Sequence, residues 1–194
     1  RPAAHSLARA DTHPTRTVLV LGDSLSAGYG LDASQGWVTL TSARMAATRP
    51  GWRLVNASIS GDTTDGGAAR VVREVALHRP AVVVIELGAN DGLRGLPLRR
   101  TRRNLAYMIG AAQGVHAKVL LVGMRLPPNY GDGYAEDFHR LYAEVARATS
   151  IAFDCSATSE STVTRTLEVL GTPSYMAPEQ AEGENDAVSS ATDV

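Results

Sequence analysis

Largely apolar runs alternate with amphipathic stretches through the first three quarters of the chain. The runs occupy residues 18–21, 53–55, 81–87 and 118–123. Between them, residues 36–48, 66–78, 98–114 and 134–148 carry their apolar positions at helical spacing. Apolar strands separated by amphipathic helices predict a parallel sheet covered on both faces, a three-layer, flavodoxin-like α/β fold. Each run ends in small or polar residues: Gly22-Asp23, Asn56, Gly88-Ala89-Asn90 and Gly123. Ligands of such sheets bind beyond the carboxyl ends of the strands, so these polar residues stand where chemistry is expected. The pattern stops near Thr149. Residues 150–153 read as the start of a fifth strand, 154–162 as a Ser/Thr-rich loop, and 181–194 as a polar, acidic, loosely attached end.

Composition narrows the picture. A chain of 194 residues that is 44% hydrophobic buries one sizeable core, so one domain is expected. Nothing approaches 18 consecutive apolar residues, so no membrane span is expected. The single cysteine, Cys155, forms no intrachain disulfide. Residues 1–17 contain no apolar core stretch of a signal peptide, while Ala8-Arg9-Ala10 resembles the small-residue end of a cleaved one. Residues 1–16 read as a disordered segment. The charge is split: residues 151–194 hold eight Asp/Glu and one Arg, a net of −7, against a net of +6 for residues 1–150. Arginines crowd residues 93–103, but without interleaved aromatics or a nucleic-acid module they read as a solvated helix start.

Three polar blocks carry candidate chemistry. Ser24 follows the first strand, where a serine gains exposure and neighbouring backbone N–H groups; a helix N-cap is the ordinary alternative. Gly61, after the second strand, offers a close backbone N–H or simply a turn. Asn90, after the third, is a neutral amide able to donate to a developing oxyanion or to close an Asx turn.

In this order and spacing the blocks resemble the SGNH hydrolases, also called the GDSL family, and most closely the bacterial branch of multifunctional acyl-CoA thioesterases, lysophospholipases and arylesterases. The resemblance runs over residues 17–148: VLVLGDSLSAGYG from Val18, VNASISGDTT from Val55, ELGANDGLRGLP from Glu86 and MRLPPNYGDGY from Met124. It implies Ser24 as nucleophile, and an oxyanion hole made by the Ser24 N–H, the Gly61 N–H and the Asn90 side chain. It implies Asp23, Leu25, Pro127, Asn129 and Tyr130 as substrate-binding residues, with the loop around Leu126–Tyr130 lining the acyl site. The implied substrate is a small acyl ester or thioester, with no metal, cofactor or nucleic acid; a periplasmic or secreted setting is favoured, and the oligomeric state stays open.

The family's last block, Asp-x-x-His, has no counterpart here: Asp154 is followed three positions later by Ala157. His5 and His13 lie in the N-terminal segment, His78 and His116 at the far edge of the sheet, and His139 in the last helix as a remote candidate. No histidine is therefore expected within hydrogen-bond reach of Ser24. Residues 164–183 (TRTLEVLGTPSYMAPEQAEG) instead resemble the activation segment of a bacterial Ser/Thr protein kinase. A kinase function is excluded, because the Gly-rich loop, strand lysine, HRD loop and DFG site are missing. The reading is a hydrolase domain over 17–150, its C-terminal part truncated or replaced, followed by a kinase-like, poorly ordered tail over 151–194, as in a fusion or frame-shifted product. A short or missing fifth strand is expected, leaving a sheet edge open to association. The expected activity is an impaired acyl-serine ester hydrolase; the alternative is an inactive product that at most binds acyl ligands.

Overall fold

The computed structural model describes residues 15–154. The kinase-like stretch and residues 1–14 lie outside the described residues. Five strands make one sheet: β1 (Arg16–Gly22), β2 (Trp52–Asn56), β3 (Val82–Glu86), β4 (Lys118–Val122) and β5 (Ala152–Asp154), in the order β2-β1-β3-β4-β5. Every pairing is parallel, with Leu19 opposite Val55 and Val83, and Val83 opposite Val119. β1 sits second from one edge and is the longest strand, with Leu19 and Leu21 buried on one face and Val20 on the other.

Six helices connect the strands: α1 (Ser24–Ala27), α2 (Trp37–Thr48), α3 (Thr64–His78), α4 (Ala89–Leu93), α5 (Leu98–Gly114) and α6 (Asp132–Ala148), with a 3-10 turn at Pro128–Tyr130. Strand side chains alternate between the two faces. Leu19, Leu21, Val83 and Ile85 point into the larger core, where Val71 and Val75 of α3, Leu105 and Met108 of α5, and Phe138 and Leu141 of α6 meet them. Val20 and Val84 point the other way, onto Val38 and Trp37 of α2. The three layers expected from the pattern are present, unequally built. Among the described residues one face carries three long helices and the other carries α2, leaving Leu120 of β4 36% exposed.

The expected strands and long helices all form, with bounds that differ by one or two residues. β1 begins at Arg16, and β5 extends the sheet past residue 150 with three residues parallel to β4. α1 and α4 were not legible as helices. They have four and five residues, too few for a periodicity to register. Both lie at the carboxyl edge of the sheet, directly after β1 and β3.

Candidate active site

Three loops meet at that edge. The first follows β1. Asp23 is the N-cap of α1, and its Oδ1 accepts the Leu25 N–H at 3.0 Å. Ser24 is therefore the first residue of a turn held at both ends, since its carbonyl accepts the N–H groups of Gly28 and Tyr29. Ser24 and Leu25 are half-buried. The β2 end braces the same turn: Asn56 Nδ2 donates to the Ser26 carbonyl at 2.8 Å, and the Ile59 N–H donates to the Gly22 carbonyl at 3.0 Å.

The second loop joins β2 to α3. Gly61 is exposed, with φ +75°. Asp62 is anchored to Arg70 at 2.9 Å. The third loop begins at Gly88, whose φ of +120° turns the chain sharply out of β3. A Cβ there would stand 2.3 Å from Tyr142 Oη, so only glycine fits. Tyr142, buried in α6, donates to the Leu87 carbonyl at 3.0 Å and pins the strand end from below.

α4 ties the three loops together. Asn90 Nδ2 donates to the Asp62 carbonyl at 2.9 Å and lies 3.4 Å from Asp23 Oδ2. Both neighbours are acceptors, which sets the NH₂ end of the amide toward them. One turn later Arg94 Nη2 reaches the Gly61 carbonyl at 3.4 Å. Positions 90 and 94 share a helix face, so two successive carbonyls of the β2–α3 loop are held by one short helix. Asn90 thus bonds to the residue before Ser24 and to the residue after Gly61.

Asp91, beside it, is 1% exposed. It accepts the Thr64 N–H at 2.8 Å, the Thr64 hydroxyl, and the Thr101 hydroxyl at 3.2 Å. Nothing in the sequence around Asp91 marks this role. Ser26 is equally silent locally, whereas a glutamate closing an apolar strand, as Glu86 does, is costly enough to be a signal. Ser26 Oγ donates to Glu86 Oε2 at 2.5 Å in a buried contact.

The carboxyl groups under the site are electrostatically strained. Burial is the main cause that pushes Asp23 up to about 6, with the charges of Asp62 and Asp91 adding to it and the Leu25 N–H opposing it. Glu86 is held well above the usual carboxylate range by burial and then by the Asp23 charge.

The loop after β4 packs onto α4. Leu126 and Phe138 close so tightly on Gly92 that a Cβ there would lie 2.7 and 2.8 Å from them. The 3-10 turn follows, with the Tyr130 N–H donating to the Pro127 carbonyl at 3.2 Å. Asn129 is exposed and Tyr130 half-buried, its phenol pushed up by burial. Pro127, Asn129 and Tyr130 therefore sit on the loop that abuts the helix carrying Asn90.

Among the described residues no histidine is hydrogen-bonded to Ser24. His78 approaches Glu74 at 3.5 Å, and His116 occupies the turn before β4, at the opposite edge. The His139 ring faces the Met124 carbonyl at 3.4 Å and Arg125 at 3.3 Å, on the loop after β4. His5 and His13 lie outside the described residues. No group of three or more metal-ligating side chains with suitable geometry occurs among the described residues, and no helix there is long and apolar enough to cross a membrane.

The chain is similar to known proteins in sequence and in fold. The chain is 55% identical over 131 residues to an esterase, TesA, of Pseudomonas aeruginosa, a match covering 68% of this chain and 65% of that protein. It is 42% identical over 131 residues to the thioesterase 1/protease 1/lysophospholipase L1 of Escherichia coli K12, covering 68% of this chain and 62% of that protein. The chain thus spans just under two thirds of the length of these relatives. A crystal structure of TesA superposes with a TM-score of 0.71 at 42% identity, covering 83% of this chain and 98% of that one. The model of the GDSL-like lipase/acylhydrolase family matches residues 20–163, beyond the 17–148 carried by the sequence blocks. With that match over most of its length, and an SGNH hydrolase fold in three dimensions, the chain belongs to the GDSL-like lipase/acylhydrolase family.

Proposed function

We propose that this chain is built to hydrolyse acyl esters or thioesters through an acyl-Ser24 intermediate. One observation carries the reading: the Asn90 amide bridges Asp23 and Asp62, the chain neighbours of Ser24 and Gly61. The residues that carry the nucleophile and the three oxyanion donors are thereby tied through three short loops at one sheet edge. In the reaction Ser24 Oγ attacks the acyl carbonyl carbon and gives up its proton to solvent water, which also supplies the proton to the leaving group. The carbonyl oxygen takes the charge, held by the N–H groups of Ser24 and Gly61 and by Asn90 Nδ2. The tetrahedral intermediate collapses, the alcohol or thiol leaves with a proton, and water releases the acid from the acyl-serine. Of the two Asn90 contacts, the long one to Asp23 is the one to exchange for an oxyanion, because it is the weaker. Leu25, Pro127, Asn129 and Tyr130 border the acyl side of this edge. The relatives' names support an esterase or thioesterase substrate class, and an exported setting is part of the same proposal.

Serine needs a base, and the Asp-x-x-His block that supplies one in the family has no counterpart in this sequence. We therefore propose reduced turnover, lower by about 10⁴ to 10⁶ than with a complete triad, with the residual rate coming from the oxyanion donors. The test is hydrolysis of a short p-nitrophenyl ester by the pure 194-residue chain, with Ser24→Ala as control, beside fluorophosphonate labelling read by mass spectrometry. Slow turnover and a Ser24 adduct, both abolished in Ser24→Ala, support the reading. No adduct and no turnover favour the inactive acyl-binding alternative. Turnover in the ordinary range of about 1–10³ s⁻¹ sinks the impairment.

A further inference from the structure

The first two turns of α5 carry more positive charge than their surroundings answer. Arg99, Arg100, Arg102 and Arg103 stand close together there, and the first turn holds no acidic residue. Arginines three and four residues apart share a helix face and repel, as Arg99 does with Arg102 and Arg103. Two of the four are answered within the fold. Arg100 Nε pairs with Asp65 at 2.8 Å, and Arg102 pairs with Glu144 of α6. Glu144 is itself shared with Arg140, at 3.7 Å. Arg99 and Arg103 form no ion pair among the described residues. Arg103 reaches Asp65 only at longer range, and Arg100 already holds that carboxyl.

These side chains border a groove. Arg99, Arg102 and Arg103 line a space of about 460 Å³ between α5 and α6, together with the small apolar side chains of Ala106, Val145 and Ala148. Arg99 and Arg103 are exposed beside it. An occupant that suits it brings several carboxylates on a backbone of otherwise small residues. The same chain contains such a segment. Residues 179–186, EQAEGEND, carry Glu179, Glu182, Glu184 and Asp186 and no basic residue, with Ala181 among them and Ala187 and Val188 following. The two parts of the chain are opposite in charge and nearly equal, a net of −7 over residues 151–194 against +6 over residues 1–150. The connection permits the contact. α6, which forms one side of the groove, also packs against β5, where the described residues end at Asp154. From Asp154 to Glu179 the chain can extend over about 85 Å, against a radius of gyration of about 14 Å for a domain of this size.

We propose that residues 179–186 dock in the α5–α6 groove of their own chain, with their carboxylates on Arg99 and Arg103. Arg102 joins them without giving up Glu144, since a guanidinium offers five N–H donors. Single exposed ion pairs contribute little, so the contact depends on several formed together. Attachment to the same chain supplies the local concentration that a separate acidic peptide would lack. The acids that deny this segment a core of its own are thus the groups that fasten it to the body of the fold. The contact is electrostatic and exposed, so salt weakens it. It does not depend on the chemistry of Ser24.

The chain has a single lysine, Lys118, at the start of β4, so Arg103→Lys adds one side-chain amine at the groove without changing the charge. Carbodiimide treatment of the full chain at low salt, read by mass spectrometry, should join that amine to Glu179, Glu182, Glu184 or Asp186. The link should be lost at about 1 M salt, where charges are screened beyond about 3 Å. Lysine lacks the planar fork of arginine, so the arginines themselves are tested as well. The ¹⁵N–¹H spectrum of the wild type is compared with that of a chain carrying Glu179→Gln, Glu182→Gln, Glu184→Gln and Asp186→Asn. Amide resonances of residues 99–106 and 144–148 should shift, with the rest of the body unchanged. Shifts confined to the groove carry the proposal even where the lysine variant forms no link. Unshifted groove resonances overturn it. So do tail links no more frequent at the groove than at Lys118, and links found only between chains in a mixture of ¹⁴N and ¹⁵N protein, which would make the occupant a second copy.

Discussion

Replacing Asp91 by alanine should destabilise the chain more than any substitution at an exposed site residue. Its carboxyl accepts from the Thr64 N–H, the Thr64 hydroxyl and the Thr101 hydroxyl. Thr64 opens α3, so its N–H is one of the helix's orphan donors, and Asp91 caps it from a different helix. Thr64 and Thr101 are fully buried, so neither reaches water when the carboxyl is removed. Asn104 Nδ2, 3.2 Å from Thr64 Oγ1, adds a further layer to the network. A buried hydrogen bond to a charged acceptor is worth about 1.5–3 kcal/mol, and the contacts of one network do not sum independently. The expected cost of Asp91→Ala is therefore about 3–5 kcal/mol, a large share of the roughly 5–15 kcal/mol that keeps a domain folded. Asp91→Asn is the informative control. It conserves volume but sets an NH₂ against donors, so it should cost nearly as much and separate lost acceptance from lost packing. Urea unfolding followed by fluorescence of Trp37 and Trp52 measures both. An Asp91→Ala variant within 1 kcal/mol of wild type would refute the network's role, as would an Asp91→Asn variant indistinguishable from wild type.

Stability should also depend on pH through Asp23. Its folded-state value, about 6, lies above the ordinary 3.8, so the fold prefers the neutral form. The stabilisation is fully present below about 4 and is lost as pH rises to about 6, by on the order of 3 kcal/mol. Denaturation at several pH values should show the wild type losing stability relative to Asp23→Asn across that window; a constant difference would contradict it. Gly67→Ala tests the packing of α3 against α5. The new Cβ would lie 2.4 Å from Leu87 Cδ1 and 2.8 Å from Met108 Sδ, both in fully buried side chains that would have to shift within the core. The helix gains about 1 kcal/mol of propensity, but overpacking costs about 1–3, so a net loss is expected and a raised melting temperature would refute it.

The largely apolar run over 81–87 reads as a buried strand, formed over Val82–Glu86, and its alternation with helical stretches points to parallel pairing, because parallel strands need a crossover between them. The Gly22-Asp23-Ser24 corner was legible for the same local reason: a strand that ends in Gly and a capping Asp must turn there. Local pattern carries those conclusions because propensity, capping and burial period act within a few residues. The partners of the site act across many. Ser26 meets Glu86 across 60 positions and Thr64 meets Asp91 across 27. Nothing in either neighbourhood names the other, since the energy of such a bond appears only when folding removes the water that would compete for it. The same holds for α4, five residues long, which has no helical signal of its own and exists because Asp91 and Gly92 are buried against α3, α5 and the loop after β4. It likewise holds for His139, whose ring is turned toward Met124 and Arg125 by the way α6 lies on the sheet. Local patterning is enough for the sheet, its direction and the edge where polar residues gather. Which of those residues touch depends on contact between distant segments, which is set by packing, a property of the whole core.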